Sequence, residues 1–349
     1  MKSQNEIFAN RYLKIKQIGK GAYGSVFKYQ DIHTKELVAI KKLQKVEDIS
    51  DAKRVLREII ILKECSHQNI LHLKGFYLED LPNSVQVYVV TELLDFDLFT
   101  VIQNSKGDMT GEHIQYIMFQ IFLGVCYLHE NNIVHRDIKP NNILLDDMCQ
   151  VRLCDFGLAR QIEDKADENK TEYVVTRYYR APEIMLNSRK YDSAVDMWSI
   201  GCTFYELLES QILFQNAETY IELLSLIFRN LGTPQAEVIS KIENEHAKKW
   251  ILSQETFPPK KISQSLKRSG VSNAAKDLLD KCLMFDPTKR ITAKEALEHE
   301  YFEDILEPNI DFDFLKMNLD FGFEQRMDVT FEALLARIRF EILSIQPTA

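Results

Sequence analysis

Apolar and polar positions follow two different rhythms along the chain. Over roughly the first quarter they alternate in short runs, YLKIKQIG, GSVFKYQD and ELVAIKKL, each bounded by Gly, His-Thr or charge. Runs of this kind, rich in β-branched and aromatic residues, predict strands. Residues 53–64 break the alternation: Leu56, Ile59, Ile60 and Lys63 recur at steps of three and four and predict a helix. ILHLKGFY and VQVYVVTEL then return to strand. Beyond residue 95 helical spacing takes over. Residues 111–130 carry Ile114, Ile117, Met118, Ile121, Phe122, Val125 and Leu128 at helical steps, the pattern of a long buried-face helix. Similar spacing predicts helices at 193–209, 217–230, 273–284 and 292–299. Strands followed by helices imply segregated lobes and an α+β class, with the boundary between Glu92 and Asp95. The tail after Phe302 is less regular. Within it FEALLARIRFEIL, 331–343, places Phe331, Leu334, Leu335, Ile338 and Ile342 on one face. That helix is expected to pack back on the body; the sharper alternative is a partner-binding helix.

Composition narrows the classes. The chain has 349 residues, long enough for two domains or one large two-lobed unit, and 45% of them are apolar, enough for a sizeable core. A net charge of −9 argues against nucleic acid held on a basic surface and permits basic protein partners. No apolar run reaches 18 residues, so no membrane span is expected, and the opening MKSQNEIFANRY lacks the apolar core of a secretory signal. Cysteines at 65, 126, 149, 154, 202 and 282 form no C-x-x-C pair, which predicts reduced thiols in an intracellular protein. The acidic run EDKADENK, 163–170, reads as an exposed loop.

Three stretches carry candidate chemistry. IGKGAYGSV, 18–26, is a G-x-G-x-x-G loop whose glycines allow a close backbone approach to phosphates. A dinucleotide site would continue into a helix; here the residues after Gly24 read as strand, which disfavours that alternative. Lys41, at the end of the VAIKK strand, gains meaning from Glu58 on the following helix, since a carboxylate can orient an ammonium that grips ATP phosphates. HRDIKPNNILL, 135–145, is more specific. In one turn Asp137 supplies a base, Lys139 a cation and Asn142 an oxygen ligand for metal. DFG at 155–157 adds Asp155, a hard oxygen ligand suited to Mg²⁺, and APE closes the segment at 181–183.

In their order and context these motifs resemble the eukaryotic protein kinases, from about Tyr12 to Phe302. The resemblance implies a two-lobed protein kinase fold, with an N-terminal lobe over 1–93, a C-terminal lobe over 94–302 and an extension over 303–349. It implies ATP and Mg²⁺ as cofactors, the metal on Asn142 and Asp155. The nucleotide contacts would come from Ile18, Gly19, Lys20, Gly21, Ala22, Tyr23, Gly24, Val26, Ala39 and Lys41. Thr91 would act as gatekeeper, Glu92 and Leu94 as hinge, Asp97 as ribose contact, and Leu144 and Cys154 as apolar wall.

KTEYVVTRYYRAPE, 170–183, narrows the family further. Thr171-Glu172-Tyr173 lies between DFG and APE, where activation-loop phosphosites occur, and the stretch resembles the mitogen-activated protein (MAP) kinases of the extracellular-signal-regulated branch. Two phosphates would add about −3 to −4 charges at neutral pH, and arginines are their natural partners. The resemblance assigns Arg57, Arg136 and Arg160 to phosphothreonine with help from Arg54, and Arg177 and Arg180 to phosphotyrosine. The segment 174–180 would form a pocket favouring proline after the acceptor, and IKPNN resembles the serine/threonine form of the catalytic loop. Thr176 would bond Asp137 and Lys139. His135 and Asp196 would be structural, Asp196 bracing the catalytic loop, and Arg290 would pair with Glu183. Expected partners are proteins with Ser-Pro or Thr-Pro sites, an upstream dual-specificity kinase and phosphatases. The expected location is cytoplasmic, with entry into the nucleus left open.

Some features depart from the pattern. Tyr178 and Ile138 replace the usual tryptophan and leucine. After His299 the acidic docking patch of the family is shortened to HEYFEDILEPNIDFDF. Glu303, Asp304, Glu307, Asp311 and Asp313 would either attract basic docking peptides or form an ordinary solvated face. KRVLREI does not align with the PSTAIRE helix, which counts against a cyclin-dependent kinase. A pseudokinase scaffold is the remaining alternative; the intact Lys41, Glu58, Asp137, Asn142 and Asp155 speak against it.

Overall fold

A computed structural model describes residues 6–345 except 22–23, 83, 106, 163–176, 187–191, 306–313 and 327. The α+β expectation holds: strands dominate the early chain and helices the later. The chain divides into two compact units. The first comprises Met1–Asp95, Cys154–Ala159 and Met317–Ala349; the second comprises Phe96–Leu153 and Arg160–Lys316.

In the first unit, β1 (Ile7–Phe8), β2 (Tyr12–Gly21), β3 (Gly24–Asp31) and β4 (Leu37–Leu43) precede α1 (Ile49–Glu64), and β5 (Leu73–Leu81) and β6 (Ser84–Glu92) follow it. The six strands form one antiparallel sheet in the order β1-β2-β3-β4-β6-β5. One face closes over Tyr12, Tyr29, Val38, Ile40 and Val90, flanked by Phe8, Phe27, Tyr77 and Tyr88. Helix α1 begins four residues before the apolar spacing does, because the Asp48 side chain accepts from Asp51 N at 2.8 Å and caps it. The strand expected at 70–77 forms instead at 73–81. Its polar end, Glu79 to Leu81, is drawn into the ladder by pairing with Ser84 to Gln86, while Ile70 turns back on His67. Pairing partners distant in a pattern of single residues decide such limits.

The second unit opens with β7 (Phe96–Asp97), α2 (Leu98–Ser105) and α3 (Gly111–Glu130). Helix α3 starts at a capping box made by Thr110 and His113 and is buried along nearly all its length from Ile117 to Leu128. Short strands follow: β8 (Ile133–Val134), β9 (Ile143–Leu145), β10 (Val151–Leu153) and β11 (Arg160–Gln161), paired as β10-β9-β7 and β11-β8. Helices α4 (Pro182–Met185), α5 (Ala194–Glu209), α6 (Tyr220–Leu231), α7 (Ala236–Ser240), α8 (Glu245–Ser253), α9 (Asn273–Cys282) and α10 (Ala293–Leu297) complete it. α3 packs on α10, α5 and β10 at its centre. The chain then returns to the first unit with α11 (Gly322–Gln325) and α12 (Phe331–Leu343), and α12 packs on α1 and β5 through Leu334, Ile338 and Ile342. Among the described residues no helix is long and apolar enough to cross a membrane.

Candidate active site

The functional side chains fall into two groups, one in each unit. In the first unit Lys41 is the hub. It stands on the central strand β4, opposite Val26 on β3 and Val89 on β6. Its Nζ donates to Glu58 Oε1 at 2.7 Å and to Asp155 Oδ1 at 3.0 Å. Burial works against the ammonium, but the charges of Asp155 and then Glu58 outweigh it, and the Lys41 pKa is raised above its ordinary value. Lys41 is therefore a permanent cation at neutral pH. Burial pushes the Glu58 carboxyl upward, with Lys41 opposing. Asp155 adopts left-handed backbone, φ 67° and ψ 75°, which turns its carboxylate to Lys41. Gly157 follows, and a Cβ there would lie 3.3 Å from Arg54 Cγ, a close contact with a flexible side chain.

The glycine-loop residues lie at the β2–β3 hairpin, with Gly19 opposite Val26, Lys20 opposite Ser25 and Gly21 opposite Gly24. Gly24 has φ +149°, and a side chain there would overlap the Lys42 carbonyl oxygen. Ile18 is exposed. Ala22 and Tyr23 lie outside the described residues. Ala39 pairs with Thr91 across β4 and β6, and Thr91 is buried. Glu92 N donates to His72 O at 3.1 Å, and its side chain accepts from His72 N at 2.8 Å, so the residue just before β5 fixes the end of β6 that leads to Leu94. Cys154 is half-buried.

In the second unit the HRD turn gathers Asp137, Lys139 and Asn142. Asp137 Oδ2 accepts from Lys139 Nζ at 2.8 Å and from Asn142 Nδ2 at 2.7 Å. Asn142 Nδ2 also reaches Asp137 O at 2.8 Å. The turn itself hangs on Asp196 at the start of α5. Asp196 Oδ2 takes His135 N at 2.8 Å and His129 Nε2 at 2.9 Å, and Oδ1 takes Arg136 N at 2.7 Å. Burial would raise this carboxyl, but His129 and the Arg136 amide more than offset it and hold the pKa below the ordinary value. His135 is fully buried, and its Nδ1 accepts from Asp137 N at 3.3 Å, the structural role expected of it. Asp97 pairs with Leu144 across β7 and β9, and its carboxylate caps α2 by accepting from Thr100 N and Oγ1 at 2.8 and 2.9 Å.

The arginines also distribute between the units. Arg57 is buried in the first, its Nη1 donating to Gly157 O at 2.7 Å, and Arg54 reaches Asp51 Oδ1 at 2.6 Å and Gln44 Oε1 at 3.1 Å. In the second, Arg136 has φ 68° and Arg160 lies in β11 opposite Val134. Arg177 and Arg180 both lie over the Tyr220 ring, 5.8 and 5.5 Å from its centroid, and donate to Glu218 O and the Tyr220 hydroxyl. Thr171, Tyr173 and Thr176 lie outside the described residues, as do Glu307, Asp311 and Asp313. Glu303 and Asp304 are exposed and border a cavity of ≈ 480 Å³ with Glu112, Glu300 and Arg268.

Arg290 clasps Glu183 through two parallel bonds, 2.5 and 2.7 Å, with the Arg side chain fully buried. Two further carboxylates had no signal in the sequence. Glu206, inside the apolar run of α5, is fully buried and accepts from Tyr179 Oη at 2.5 Å, which fixes the segment before APE. Burial raises its pKa. Glu324, on α11, meets Arg57 across a separation of well over two hundred residues, which no local pattern announces.

Within the first unit Lys41 offers a fixed charge of the kind a phosphate takes, and Asp155 offers carboxylate oxygens, the donor type Mg²⁺ takes. Within the second, Asn142 offers a side-chain oxygen of the same type. Among the described residues no cluster of three or more His, Cys, Asp or Glu is placed to hold a metal ion.

Comparison with known proteins agrees with this geometry. Residues 12–302 match the protein kinase domain family. The chain is 40% identical to mitogen-activated protein kinase 3 of Arabidopsis thaliana over 95% of its length and 88% of that protein's. It is 40% identical to mitogen-activated protein kinase 5 of Oryza sativa over 85% and 82%. With extracellular signal-regulated kinase 1 of Dictyostelium discoideum the identity is 40% over 97% of this chain and 63% of that one.

Proposed function

The chain belongs to the protein kinases and, among them, to the MAP kinases, and from that premise we propose a serine/threonine kinase that acts before proline and is switched on by phosphorylation of Thr171 and Tyr173. Membership implies ATP, with Mg²⁺ the usual ion, and it implies protein substrates and upstream kinases in general. The finer assignments are our own. Phosphoryl transfer is supported by the bridge from Lys41 to Glu58 and Asp155, which joins strand β4, helix α1 and the DFG turn, whereas the proline preference and the switch rest on the resemblance of residues 170–183 to the MAP kinases.

In this reading Mg²⁺ on Asp155 and Asn142 would neutralise phosphate charge. Lys41 would hold the α- and β-phosphates. Asp137 would receive the proton of the attacking hydroxyl, and Lys139 would offset charge on the transferred group. The Lys139 and Asn142 donors on Asp137 Oδ2 hold that carboxylate in a fixed orientation. A proline after the acceptor is favoured because it brings no N–H that must find a partner. Phosphates on Thr171 and Tyr173 would be received by Arg57, Arg136 and Arg160, with Arg54, and by Arg177 and Arg180. The activator would be a dual-specificity kinase and the reset a phosphatase. Basic docking peptides would meet the carboxylates around Glu303 and Asp304. We place the protein in the cytoplasm, with the nucleus open to it.

The test is phosphate transfer from MgATP to matched Ser-Pro and Ser-Ala peptides, before and after phosphorylation of Thr171 and Tyr173. Transfer to Ser-Pro alone, rising steeply on phosphorylation, is expected. Equal rates on both peptides would remove the proline assignment; indifference to phosphorylation would remove the switch.

A further inference from the structure

Within the first unit the C-terminal extension grips α1 along its length. Near the start of the helix Lys53 Nζ donates to Glu324 O at 3.2 Å. In the middle Arg57 Nε lies 2.5 Å from Glu324 Oε1, a close ion pair without the alignment of a hydrogen bond. In the last turn Lys63 Nζ reaches Glu341 Oε2 at 2.8 Å and Ser344 Oγ at 2.9 Å. The middle contact differs in kind from the other two. Both of its side chains are only 5% exposed, so the charges are desolvated and each needs the other. Arg57 also binds the carbonyl of Gly157, so one guanidinium ties the extension, the helix and the DFG turn together.

Glu58 is the next residue on the helix and points about 100° away around its axis, toward Lys41. A helix held in two directions by adjacent residues cannot rotate about its axis. We propose that Glu324 is a positioning residue for phosphoryl transfer: its carboxylate on Arg57 docks α1 in the paired position while Thr171 carries no phosphate. This rests on the assignment of Thr171 as the activating site and of Arg57 as one of its receivers. A phosphate arriving at Arg57 brings a second anion to a guanidinium that already has one. The two anions then do the same work, and Glu324 matters most in the unphosphorylated chain.

The experiment compares the full chain with its Glu324→Gln form, each with and without phosphothreonine installed at 171 by nonsense suppression. Two readouts are taken: kcat with KM for ATP, and amide hydrogen exchange over residues 49–64. Gln keeps the shape and removes the charge. In the unphosphorylated chain kcat is expected to fall about tenfold, the size of one charge-assisted contact, with faster exchange in α1. With phosphothreonine both readouts return close to wild type, and Glu324→Asp, which keeps the charge, retains most of the basal rate. Equal losses in both phosphorylation states would mean a merely structural contact and overturn the proposal. So would an unphosphorylated Glu324→Gln chain with unchanged rate and exchange. If the wild-type chain transfers no phosphate in either state, the kinase switch itself fails, and the exchange data alone decide whether Glu324 docks α1.

Discussion

Helices α1 and α5 each present an acidic residue to the catalytic apparatus, Glu58 in one unit and Asp196 in the other, and they differ in what their charged side chains add to an apolar core. α5 is walled in by apolar contact. Trp198, Ile200 and Phe204 are fully buried, and Leu283 comes so close that a Cβ on Gly201 would lie 2.7 Å from its Cγ. Its charged anchors are buried: Arg290, paired with Glu183, donates to Ala194 O at 2.9 Å in the first turn of α5, and Asp196 takes the HRD amides. α1 is buried on an apolar side as well, at Leu56, Ile59 and Ile61, and packs on α12, but it adds cationic side chains that reach carboxylates of the extension. Apolar packing fixes a helix; charges on flexible stems can be exchanged for others. The contrast teaches where regulation can enter. A switch needs an element with two affordable positions, and α1 meets that description better than α5.

The comparison can be broken at its rigid end first. Arg290→Ala should cost about 3–5 kcal/mol of stability by denaturant unfolding, because Glu183 would remain as a buried unpaired charge. A loss below 1 kcal/mol would mean that α5 is not sealed as described. Next in size, Glu58→Gln should lower phosphotransfer on the order of 10²-fold through misplacement of Lys41, while the unfolding midpoint stays near wild type. A large drop in the midpoint would make α1 a structural post like α5.

Asp196→Asn should cost about 2 kcal/mol at neutral pH, since it weakens charge-assisted bonds to two amides and His129. It also carries a pH signature. The folded pKa of Asp196 lies below its ordinary value of 3.8, so its contribution is fully present above 3.8 and fades as pH falls through the lower folded value. The Asn form should lose that part of the acid limb in a stability-versus-pH titration; an unchanged limb would mean that Asp196 does not bear the load. Smallest of all, Lys63→Ala should change stability by no more than about 1 kcal/mol, because its pair with Glu341 is partly open to solvent.

Much of this was legible in the sequence, for physical reasons that differ by region. The limits of α3 follow from an uninterrupted apolar face and a capping Thr, both local. HRD and DFG were legible because phosphoryl transfer demands particular residue types at fixed spacing, whereas the Arg290–Glu183 pair was legible only through the resemblance to the protein kinases. Glu206 was not, since a single glutamate in an apolar helix gives no clue whether it faces water or a tyrosine hydroxyl. Glu324 was not, since its partner lies at the other end of the chain and the residues around it show little pattern. Helices α7 and α8 also escaped notice: one is a single turn and the other starts on the strength of Asn244 as a cap.

Asp155 has one further consequence. Its backbone sits in the left-handed region, where an L-residue other than glycine is disfavoured by about 1 kcal/mol. Glycine would be more comfortable at this position, and asparagine nearly so, yet neither offers a carboxylate to Lys41. Selection for turnover and selection for foldability therefore pull this one site in opposite directions. In a descendant copy released from catalysis, position 155 is where drift toward glycine or asparagine would be expected early. Its aspartate is a small standing sacrifice of stability that only an active enzyme has reason to keep.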